Sequence, residues 1–326
     1  MDTHIIGAGL AGLVAAKLLG DKGQQIRVVD KGRSVGGRLA TRRMGTAVID
    51  HGAQFFTARS EAFTDAVAEW VEAGLVEEWC RGFDDVPDGY PRYRAVGGMN
   101  QLAKHLRSTL PDSVEVLTRH RAAAIIPLAD GWALSYDGGA RSPDESPAVI
   151  CTAPVPQALE LLDGGGLPIP AELIGVRDLR YHSVIGLLAR LDQPAPFGAT
   201  GALQRPDDPI FSFACDNGTK GVSPVPAATF HVAHARSAEL WDQSNAEILA
   251  ALQPEAEALL GDASILEVQV KKWRYAGPVT PWPDRCVVVA TKTGPVVLAG
   301  DAFGGPKVEG AYLSGCAAAG AVLEHS

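Results

Sequence analysis

One short glycine motif constrains this chain more than any other feature. Residues 7–12 read Gly-Ala-Gly-Leu-Ala-Gly and lie between a predicted buried strand and a predicted helix. Gly7 makes a tight turn, Gly9 lets the backbone approach a pyrophosphate, and Gly12 lets helix and strand pack closely. Asp30 ends the second predicted strand, where a carboxylate can accept hydrogen bonds from ribose hydroxyls. The motif predicts a dinucleotide-binding βαβ unit, the alternative being a βαβ turn that binds nothing.

A second glycine pair, Gly36-Gly37, is followed at once by Arg38 and preceded by Asp30-Lys31. FAD carries a pyrophosphate with two negative charges, and a planar guanidinium can pair with it through two parallel hydrogen bonds. The pattern therefore favours FAD over NAD. The alternative is a glycine turn in a solvated basic stretch. Other arginines of that stretch are Arg33, Arg42 and Arg43.

The C-terminal part repeats the opening pattern. A predicted buried strand at 296–299 delivers Asp301 at its carboxyl end, and a predicted helix of small residues begins at Gly310. Asp301 can bind the ribityl or pyrophosphate side of FAD, and amides at the helix start can stabilise negative charge near flavin N1 and C2=O. The alternative is a helix that follows the last strand of any α/β sheet. Motifs at both ends predict an FAD domain built from both termini, with a substrate domain inserted between.

Composition and charge disfavour several other classes. Of 326 residues, 46% are hydrophobic and 21% charged, which excludes a disordered chain. The net charge of −9 disfavours nucleic-acid or anionic-membrane partners. Five scattered cysteines without a C-x-x-C pair indicate neither zinc nor a disulfide framework, and we expect a reducing cytoplasm without signal peptide or membrane span. We expect no metal at His231 and His234, since both fall on one predicted strand and face opposite sides.

A longer series of stretches resembles a known family. The most specific is the aspartate-x-Gly-Ala-Gln-aromatic block that begins Asp50-His51-Gly52-Ala53-Gln54-Phe55-Phe56-Thr57-Ala58-Arg59. The others are Asp30-Lys31 to Gly36-Gly37-Arg38, Val96-Gly97-Gly98-Met99, Thr152-Ala153-Pro154-Val155-Pro156-Gln157, Lys272-Trp273-Arg274-Tyr275, and Gly300-Asp301 to Ser314-Gly315. In their order along the chain, these stretches resemble the flavin amine oxidase superfamily and, within it, the renalases, especially the bacterial ones. The resemblance spans nearly the whole chain and is poorest in the middle.

The resemblance implies an α/β fold similar to that of para-hydroxybenzoate hydroxylase, with a Rossmann-like domain that binds FAD non-covalently and an inserted mixed β/α substrate domain. We place the FAD-binding domain at 1–60, 95–165 and 280–326, and the substrate domain at 61–94 and 166–279. The implied reaction oxidises the small-molecule substrate, a 2- or 6-dihydroNAD(P), to NAD(P)+ by hydride transfer to flavin N5. O2 then reoxidises the flavin and gives H2O2. The oligomeric state stays open.

The resemblance also assigns residues. Phe55, His234 and Trp273 match substrate-pocket positions, and Phe55 stands where the family commonly has tyrosine, so a hydroxyl is missing there. We expect no general base, because hydride transfer from a dihydropyridine needs orientation and no proton abstraction. Motifs and resemblance together predict FAD contacts at Gly7, Gly9, Leu10, Ala11, Gly12, Asp30, Lys31, Gly37, Arg38, Gly52, Ala53, Gln54, Phe55, Ala122, Asp301, Glu309, Gly310 and Ala311.

Two other functions stay open at this point. One is an FAD-dependent amine oxidase or desaturase-like enzyme on the same fold, which fold analogy does not separate from the first reading. The other is a non-catalytic binding protein on an FAD-type scaffold, as in the GDP-dissociation inhibitors. Arg38, Asp301 and Gly310 argue against the second, because a protein that had lost FAD would not need them.

Overall fold

The apolar segments of the sequence form the regular elements of the computed structural model, which describes residues 2–83, 86–142, 144–289 and 293–325. The strands are β1 (Thr3–Ile6), β2 (Ile26–Asp30), β3 (Thr41–Met44), β4 (Ala47–Asp50), β5 (Val76–Phe83), β6 (Val86–Ala95), β7 (Val114–Thr118), β8 (Ala122–Pro127), β9 (Trp132–Tyr136), β10 (Ala148–Cys151), β11 (Tyr181–Leu191), β12 (Ala202–Gln204), β13 (Phe211–Asp216), β14 (Ala227–Val232), β15 (Ile265–Pro278), β16 (Val287–Val289) and β17 (Val296–Leu298). The helices are α1 (Leu10–Gly20), α2 (Glu61–Glu72), α3 (Asn100–Ser108), α4 (Val155–Gly164), α5 (His234–Glu239), α6 (Asn245–Leu260), α7 (Lys307–Glu324) and a 3-10 helix at Ala171–Asp178.

These elements form two units. Unit 1 comprises Met1–Gly37, Ala103–Arg180 and Gly277–Ser326, and unit 2 comprises Arg38–Leu102 and Tyr181–Ala276. By this division, 38–60 and 95–102 lie in unit 2, and 166–180 and 277–279 lie in unit 1, in contrast to the predicted boundaries. The predicted boundaries concern which segments serve FAD and which serve the substrate, and compactness does not test that. They stay a prediction.

Unit 1 is built on a six-stranded sheet in the order β16-β17-β10-β1-β2-β7. Neighbouring strands are parallel except for the antiparallel pair β16 and β17. Strands β1, β10 and β17 are buried along their length, as expected for a parallel sheet covered on both faces. Helices α1 and α7 approach so closely that a Cβ atom on Gly315 would clash with the carbonyl of Ala11.

Unit 2 contains a five-stranded sheet in the order β12-β13-β14-β11-β15, with antiparallel pairing from β12 to β11. Helix α6 packs on it through Ile248 and Leu252, which share a core with Leu187 and Phe230. Its start is fixed by a capping box, in which the hydroxyl of Ser244 accepts from the Glu247 amide. The hairpins β3–β4 and β5–β6 belong to the same unit.

The predicted α/β class is confirmed, and two local predictions are wrong. His234 begins α5 and does not end a strand, because β14 stops at Val232. The hydroxyl of Ser237 in α5 donates to the Val232 carbonyl and accepts from the Ile185 amide, so tertiary contacts set this end. Helix α7 begins at Lys307, three residues before the predicted start at Gly310. Of the helices in the described part of the chain, none has the length and apolarity needed to cross a bilayer.

Candidate functional site

The glycine motif lies where three parallel strands of unit 1 end. Gly7 follows β1 with a φ of +107°, and a Cβ atom there would clash with the hydroxyl of Thr152, which follows β10. That hydroxyl donates to the carbonyl of Ile6 at 3.0 Å. A Cβ atom on Gly12 would clash with the carbonyl of Gly7. Gly7 is therefore required by its positive φ and by the adjacent hydroxyl, and Gly12 by the close approach of the backbone.

Gly9 differs from these two glycines, because a Cβ atom added to it would meet no atom of the described residues within 4 Å. Gly9 is the N-cap of α1, so the first-turn amides that lack an intrahelical acceptor, including those of Leu10 and Ala11, begin here. The first turn of α1 carries no acidic residue. A Cβ atom on Gly37 would lie 3.6 Å from the Cα atom of Gly9. The result is an open backbone cradle at a helix N-terminus, a favourable place for a phosphate.

Asp30, at the end of β2, organises the same cradle. Its Oδ2 accepts from the Ala8 amide at 2.7 Å and its Oδ1 from the Gly32 amide at 2.6 Å. Each carboxylate oxygen keeps a second lone pair that can accept from a ribose hydroxyl. The neighbouring Lys31 donates to Oε1 of Gln157 at 2.9 Å. Ala122 begins β8 opposite Tyr136 in unit 1, and a contact of Lys31 or Ala122 with FAD stays a prediction.

The C-terminal motif is built at the end of β17. The Gly300 amide donates to the hydroxyl of Ser314 at 2.7 Å, and that hydroxyl donates to the Arg285 carbonyl at 2.5 Å. Asp301 next to it is buried. Glu309, Gly310 and Ala311 lie in the first turns of α7, and a Cβ atom on Gly310 would clash with the carbonyl of Gly305. The glycine is needed so that the loop before α7 can turn into the helix.

Unit 2 carries its own polar network around Asp50, at the end of β4. The side chains of Asp50 and Lys220 are both 0% exposed, and Lys220 Nζ lies 2.9 Å from Asp50 Oδ2. Oδ1 accepts from the Thr41 hydroxyl at 2.6 Å and the Met99 amide at 2.8 Å. The Asp50 backbone carbonyl accepts from Gln54 Nε2 at 2.8 Å. The ion pair therefore holds the start of the segment 50–56.

Gln54 shows an unused acceptor. Its Nε2 donates to the carbonyls of Asp50 and Gly52, which fixes the orientation of the amide. Its Oε1 is buried and has no partner among the described residues. A buried acceptor without a partner is rare and calls for a donor from outside the chain, such as a ligand N–H. Gly52 is also constrained, since a Cβ atom there would clash with the carbonyl of Arg38, which accepts from the Ala53 amide at 2.9 Å.

His51 and Trp273 form a stacked aromatic pair in unit 2, with ring centroids 5.3 Å apart and an interplanar angle of 23°. Trp273 Nε1 donates to the His51 carbonyl at 2.7 Å. Burial lowers the pKa of His51 to about 4, and the charge of Lys271 lowers it further. Burial likewise lowers the pKa of His231 to about 4. At neutral pH both rings are uncharged.

The other two predicted pocket residues lie in other clusters of unit 2. Phe55 packs edge-on against Phe83, with centroids 5.1 Å apart, among the rings of Trp79 and Phe213. His234 stacks on His182 with centroids 4.0 Å apart, beside a cavity of about 550 Å³. Burial, followed by the charge of His182, lowers the pKa of His234.

Several residues of these networks carry no signal in the sequence. Lys220 stands 170 positions from Asp50. His182 lies in no motif.

Arg38, which the sequence predicts at a pyrophosphate, donates through Nη1 to the carbonyls of Tyr275 and Ala276 at 3.3 and 3.4 Å. The described residues contain no cluster of three or more side chains of His, Cys, Asp or Glu that fits a metal ion.

Comparison with known families agrees with this geometry. A model of the NAD(P)-binding Rossmann-like domain matches residues 5–70. Together with the cradle and Asp30, this match defines a Rossmann-like dinucleotide-binding domain, and with the match that follows it defines an FAD-dependent oxidoreductase. A model of flavin containing amine oxidoreductases matches residues 74–323, more than half of the chain. The chain belongs to that family.

Solved structures show the same fold. A candidate protoporphyrinogen oxidase from Exiguobacterium sp. 255-15 is 14% identical with a TM-score of 0.76, and the match covers 99% of each chain. An oxidoreductase from Methanosarcina mazei is 16% identical with a TM-score of 0.67, over 99% of this chain and 100% of the other. A putrescine oxidase bound to putrescine is 17% identical with a TM-score of 0.70, over 99% of each chain. At these identities the likeness establishes the amine oxidase fold alone.

The residues fit FAD. In unit 1, the open face of Gly9 and the amides of α1 suit a diphosphate, and Asp30 has lone pairs for a ribose. In unit 2, the orphaned Oε1 of Gln54 calls for an N–H donor, and the flavin ring system supplies one. The contact of each individual residue with FAD stays a prediction.

Proposed function

We propose that the chain is an oxidase of the renalase type, which oxidises 2- or 6-dihydroNAD(P) to NAD(P)+. One dihydro isomer, one O2 and one proton give NAD(P)+ and H2O2, so that atoms and charge balance. The resemblance of residues 50–56 and 272–275 to renalases supports this, together with membership of the flavin containing amine oxidoreductases. O2 as acceptor and a cytoplasmic location belong to the same proposal.

The observation that carries the proposal is the stacking of Trp273 on a histidine that burial keeps neutral. A planar dihydropyridine binds well against such faces, because stacked aromatic pairs are favourable beyond their buried area. Loss of a hydride from C2 or C6 makes the substrate ring aromatic and releases no proton. A histidine with a pKa of about 4 is a weak base at pH 7, and this reaction needs none.

FAD, when bound, supplies a ring nitrogen that accepts the hydride and a reduced ring that O2 reoxidises. The chain's own residues orient the partners. Trp273 holds its ring in place through the hydrogen bond to the His51 carbonyl. The Asp50–Lys220 ion pair holds the segment that carries His51 and Gln54. Orientation of this kind supplies a large part of the rate in a reaction that needs no acid or base.

The charges near Trp273 favour this reaction over amine oxidation. A protonated amine is held by a carboxylate or an aromatic cage. Asp50, the carboxylate whose charge acts on His51, is wholly buried and paired with Lys220. It is therefore not free to hold an ammonium group. The likeness to a putrescine oxidase concerns the fold and does not weigh against this.

The deciding experiment follows the flavin absorbance of the purified protein without oxygen, while 2- or 6-dihydroNAD(P) is added. We expect rapid loss of the visible absorbance of the flavin, recovery on admission of air, and formation of H2O2 equal to the substrate consumed. Putrescine and other primary amines are added in parallel as the electron donors that an amine oxidase would use. Bleaching by amines and none by the isomers would overturn the proposal in favour of an amine oxidase.

Variants of Trp273 test the stacking. Trp273→Ala should slow flavin reduction by about a hundredfold, a loss of ~2.7 kcal/mol that combines the missing face and the freed His51 carbonyl. Trp273→Phe keeps a ring and should lose less. Trp241→Phe, at a tryptophan that packs on Lys272 and Arg274, is the control. Equal rates in Trp273→Ala and the unmodified protein would remove Trp273 from the substrate site.

A further inference from the structure

Unit 2 pairs many of its basic side chains with carboxylates. The ion pairs are Arg81–Glu78, Arg92–Asp88, Arg94–Glu77, Arg190–Glu267, Arg236–Glu239 and Lys220–Asp50. Lys271 and Arg42 are among the basic residues of unit 2 that, within the described ranges, lie farther than 4 Å from any carboxylate. They are of interest because both also act on the ring of His51, in a chain with a net charge of −9.

Lys271 lies at the aromatic pair. Its Nζ is 5.0 Å from the ring centroid of Trp273, and the two residues share one face of β15 because they are two positions apart. The adjacent Lys272 points elsewhere, since its Nζ donates to the carbonyls of Trp241 and Gln243 at 2.6 and 2.7 Å. Lys272 thus has a structural role, whereas the ammonium group of Lys271 can bind a ligand beside Trp273.

Arg42 brings a second positive charge to the same place. Burial lowers the pKa of Lys271, and the charge of Arg42 lowers it further. Both cations also act on the ring of His51. Arg42 is exposed on β3, opposite Ile49 of β4. Like charges held together repel, and an arriving anion would relieve that repulsion.

A hydrogen-bonding group is also unused at this place. Nδ1 of His51 is buried and has no partner in the part of the chain that the structure describes, although the residue is only 7% exposed. The ring is neutral at pH 7, so this nitrogen can donate when it carries the proton. An unpartnered buried polar atom beside two cations indicates a ligand that accepts hydrogen bonds.

We propose that Lys271, Arg42 and the His51–Trp273 pair form a subsite for an anionic group of the electron donor. The group is a diphosphate or a carboxylate carried by a planar ring, and the assignment to an electron donor rests on the proposed function. The subsite selects anionic donors and repels ammonium groups. This charge explains how the His51–Trp273 pair binds a negatively charged dinucleotide in preference to a polyamine.

Binding is tested first, without any reaction. The FAD-loaded protein is titrated calorimetrically with inorganic pyrophosphate and, separately, with succinate. Lys271→Met and Arg42→Gln should each weaken pyrophosphate binding about tenfold, the effect of losing ~1.4 kcal/mol from one charge-assisted hydrogen bond. Lys271→Arg keeps the charge and should restore binding. Arg43→Gln removes the same charge one position along β3, on its other face, and should change the affinity less than about twofold.

The choice between donors is tested next. The second-order rate of flavin reduction is measured for 6-dihydroNAD and for the uncharged N-benzyl-1,6-dihydronicotinamide. The ratio of the two rates should fall about tenfold in Lys271→Met, and high salt should lower it in the unmodified protein. If Lys271→Met and Arg42→Gln leave both the ratio of the two rates and the pyrophosphate affinity unchanged, the subsite proposal is wrong.

The two proposals fail in different ways. If neither dihydronicotinamide bleaches the flavin while pyrophosphate binding still depends on Lys271, the proposed function is wrong and the subsite stands. If the isomers bleach the flavin while binding and donor ratio ignore Lys271 and Arg42, the proposed function stands and the subsite is wrong. If succinate binding depends on Lys271 and pyrophosphate binding does not, the subsite binds a carboxylate.

Discussion

The two units place their polar groups in opposite ways. In unit 1, Gly7, Gly9 and Gly12 shape a cradle within six residues, and the groups offered to a ligand are backbone amides. In unit 2, Trp273 and His51 meet across 222 positions. A backbone cradle depends on where side chains are absent. A side-chain network depends on several distant side chains being present together, which makes it more sensitive to single substitutions.

The largest effect is expected where unit 2 buries charge. Lys220→Met leaves Asp50 charged and unpaired in a site that is 0% exposed, and should lower the free energy of unfolding by about 3–5 kcal/mol. Denaturant unfolding measures this. The double variant Asp50→Asn/Lys220→Met removes both charges and should lose less than the single variant. A double variant as unstable as the single one would contradict the ion-pair argument.

In unit 1 the buried ring of His4 has no hydrogen-bond partner among the described residues, and we expect acid to lower the free energy of unfolding for this reason. His4 in β1 is 0% exposed, and burial lowers its pKa from 6.5 to about 4. The unfolded chain therefore binds a proton between these values that the folded chain does not. The contribution of His4 to the free energy of unfolding is fully present above pH 6.5. It falls by about 3 kcal/mol as the pH drops to 4. His51 and His231 shift in the same direction and add to the loss.

Unfolding midpoints measured from pH 7.5 to pH 4.5 check this expectation. His4→Val should flatten the profile, because the valine of a buried strand does not titrate. His325→Gln, at an exposed position, should leave the profile unchanged. A His4→Val profile as steep as that of the unmodified protein would remove His4 as a cause.

Two glycines of the cradle should separate folding from binding. Gly12→Ala places a methyl group against the Gly7 carbonyl and should cost about 1–3 kcal/mol of stability with or without FAD. Gly9→Ala meets no protein atom within 4 Å, so the FAD-free protein should stay within about 0.5 kcal/mol. Its FAD affinity should fall about tenfold, because the methyl group occupies the phosphate approach. FAD fluorescence titration and unfolding without FAD distinguish the two effects.

The last prediction concerns Arg38, where we expect an effect on FAD affinity alone. Arg38→Ala should weaken FAD retention about tenfold, because a diphosphate would lose a bidentate partner. Arg38→Lys should restore the affinity only in part, since an ammonium group lacks the planar fork. The exposed Arg33→Ala is the control. Equal FAD affinity in Arg38→Ala and the unmodified protein would leave Arg38 with its contacts to the Tyr275 and Ala276 carbonyls as its role.

The parts that could be predicted from the sequence are local. The turn after β1, Asp30 after β2 and Asp301 after β17 all follow from short patterns in which chain neighbours make the geometry. The sequence predicts His234 on a strand, but it lies on α5, because the end of β14 depends on Ser237 contacting Ile185. The sequence also predicts too late a start for α7, for a similar reason, since Gly310 packs on Gly305.

The fold class and the cofactor follow from the sequence, because glycines and acids at fixed spacing act on a backbone a few residues away. Which side chains meet in unit 2 depends on the tertiary structure. It pairs Lys220 with Asp50, stacks His51 on Trp273, and leaves Lys271 without a counter-ion among the described residues. Those outcomes depend on which strands become neighbours and how deeply each group is buried. The free energy of a charged side chain depends on how deeply it is buried and on which partner it has. No local sequence pattern specifies either of these.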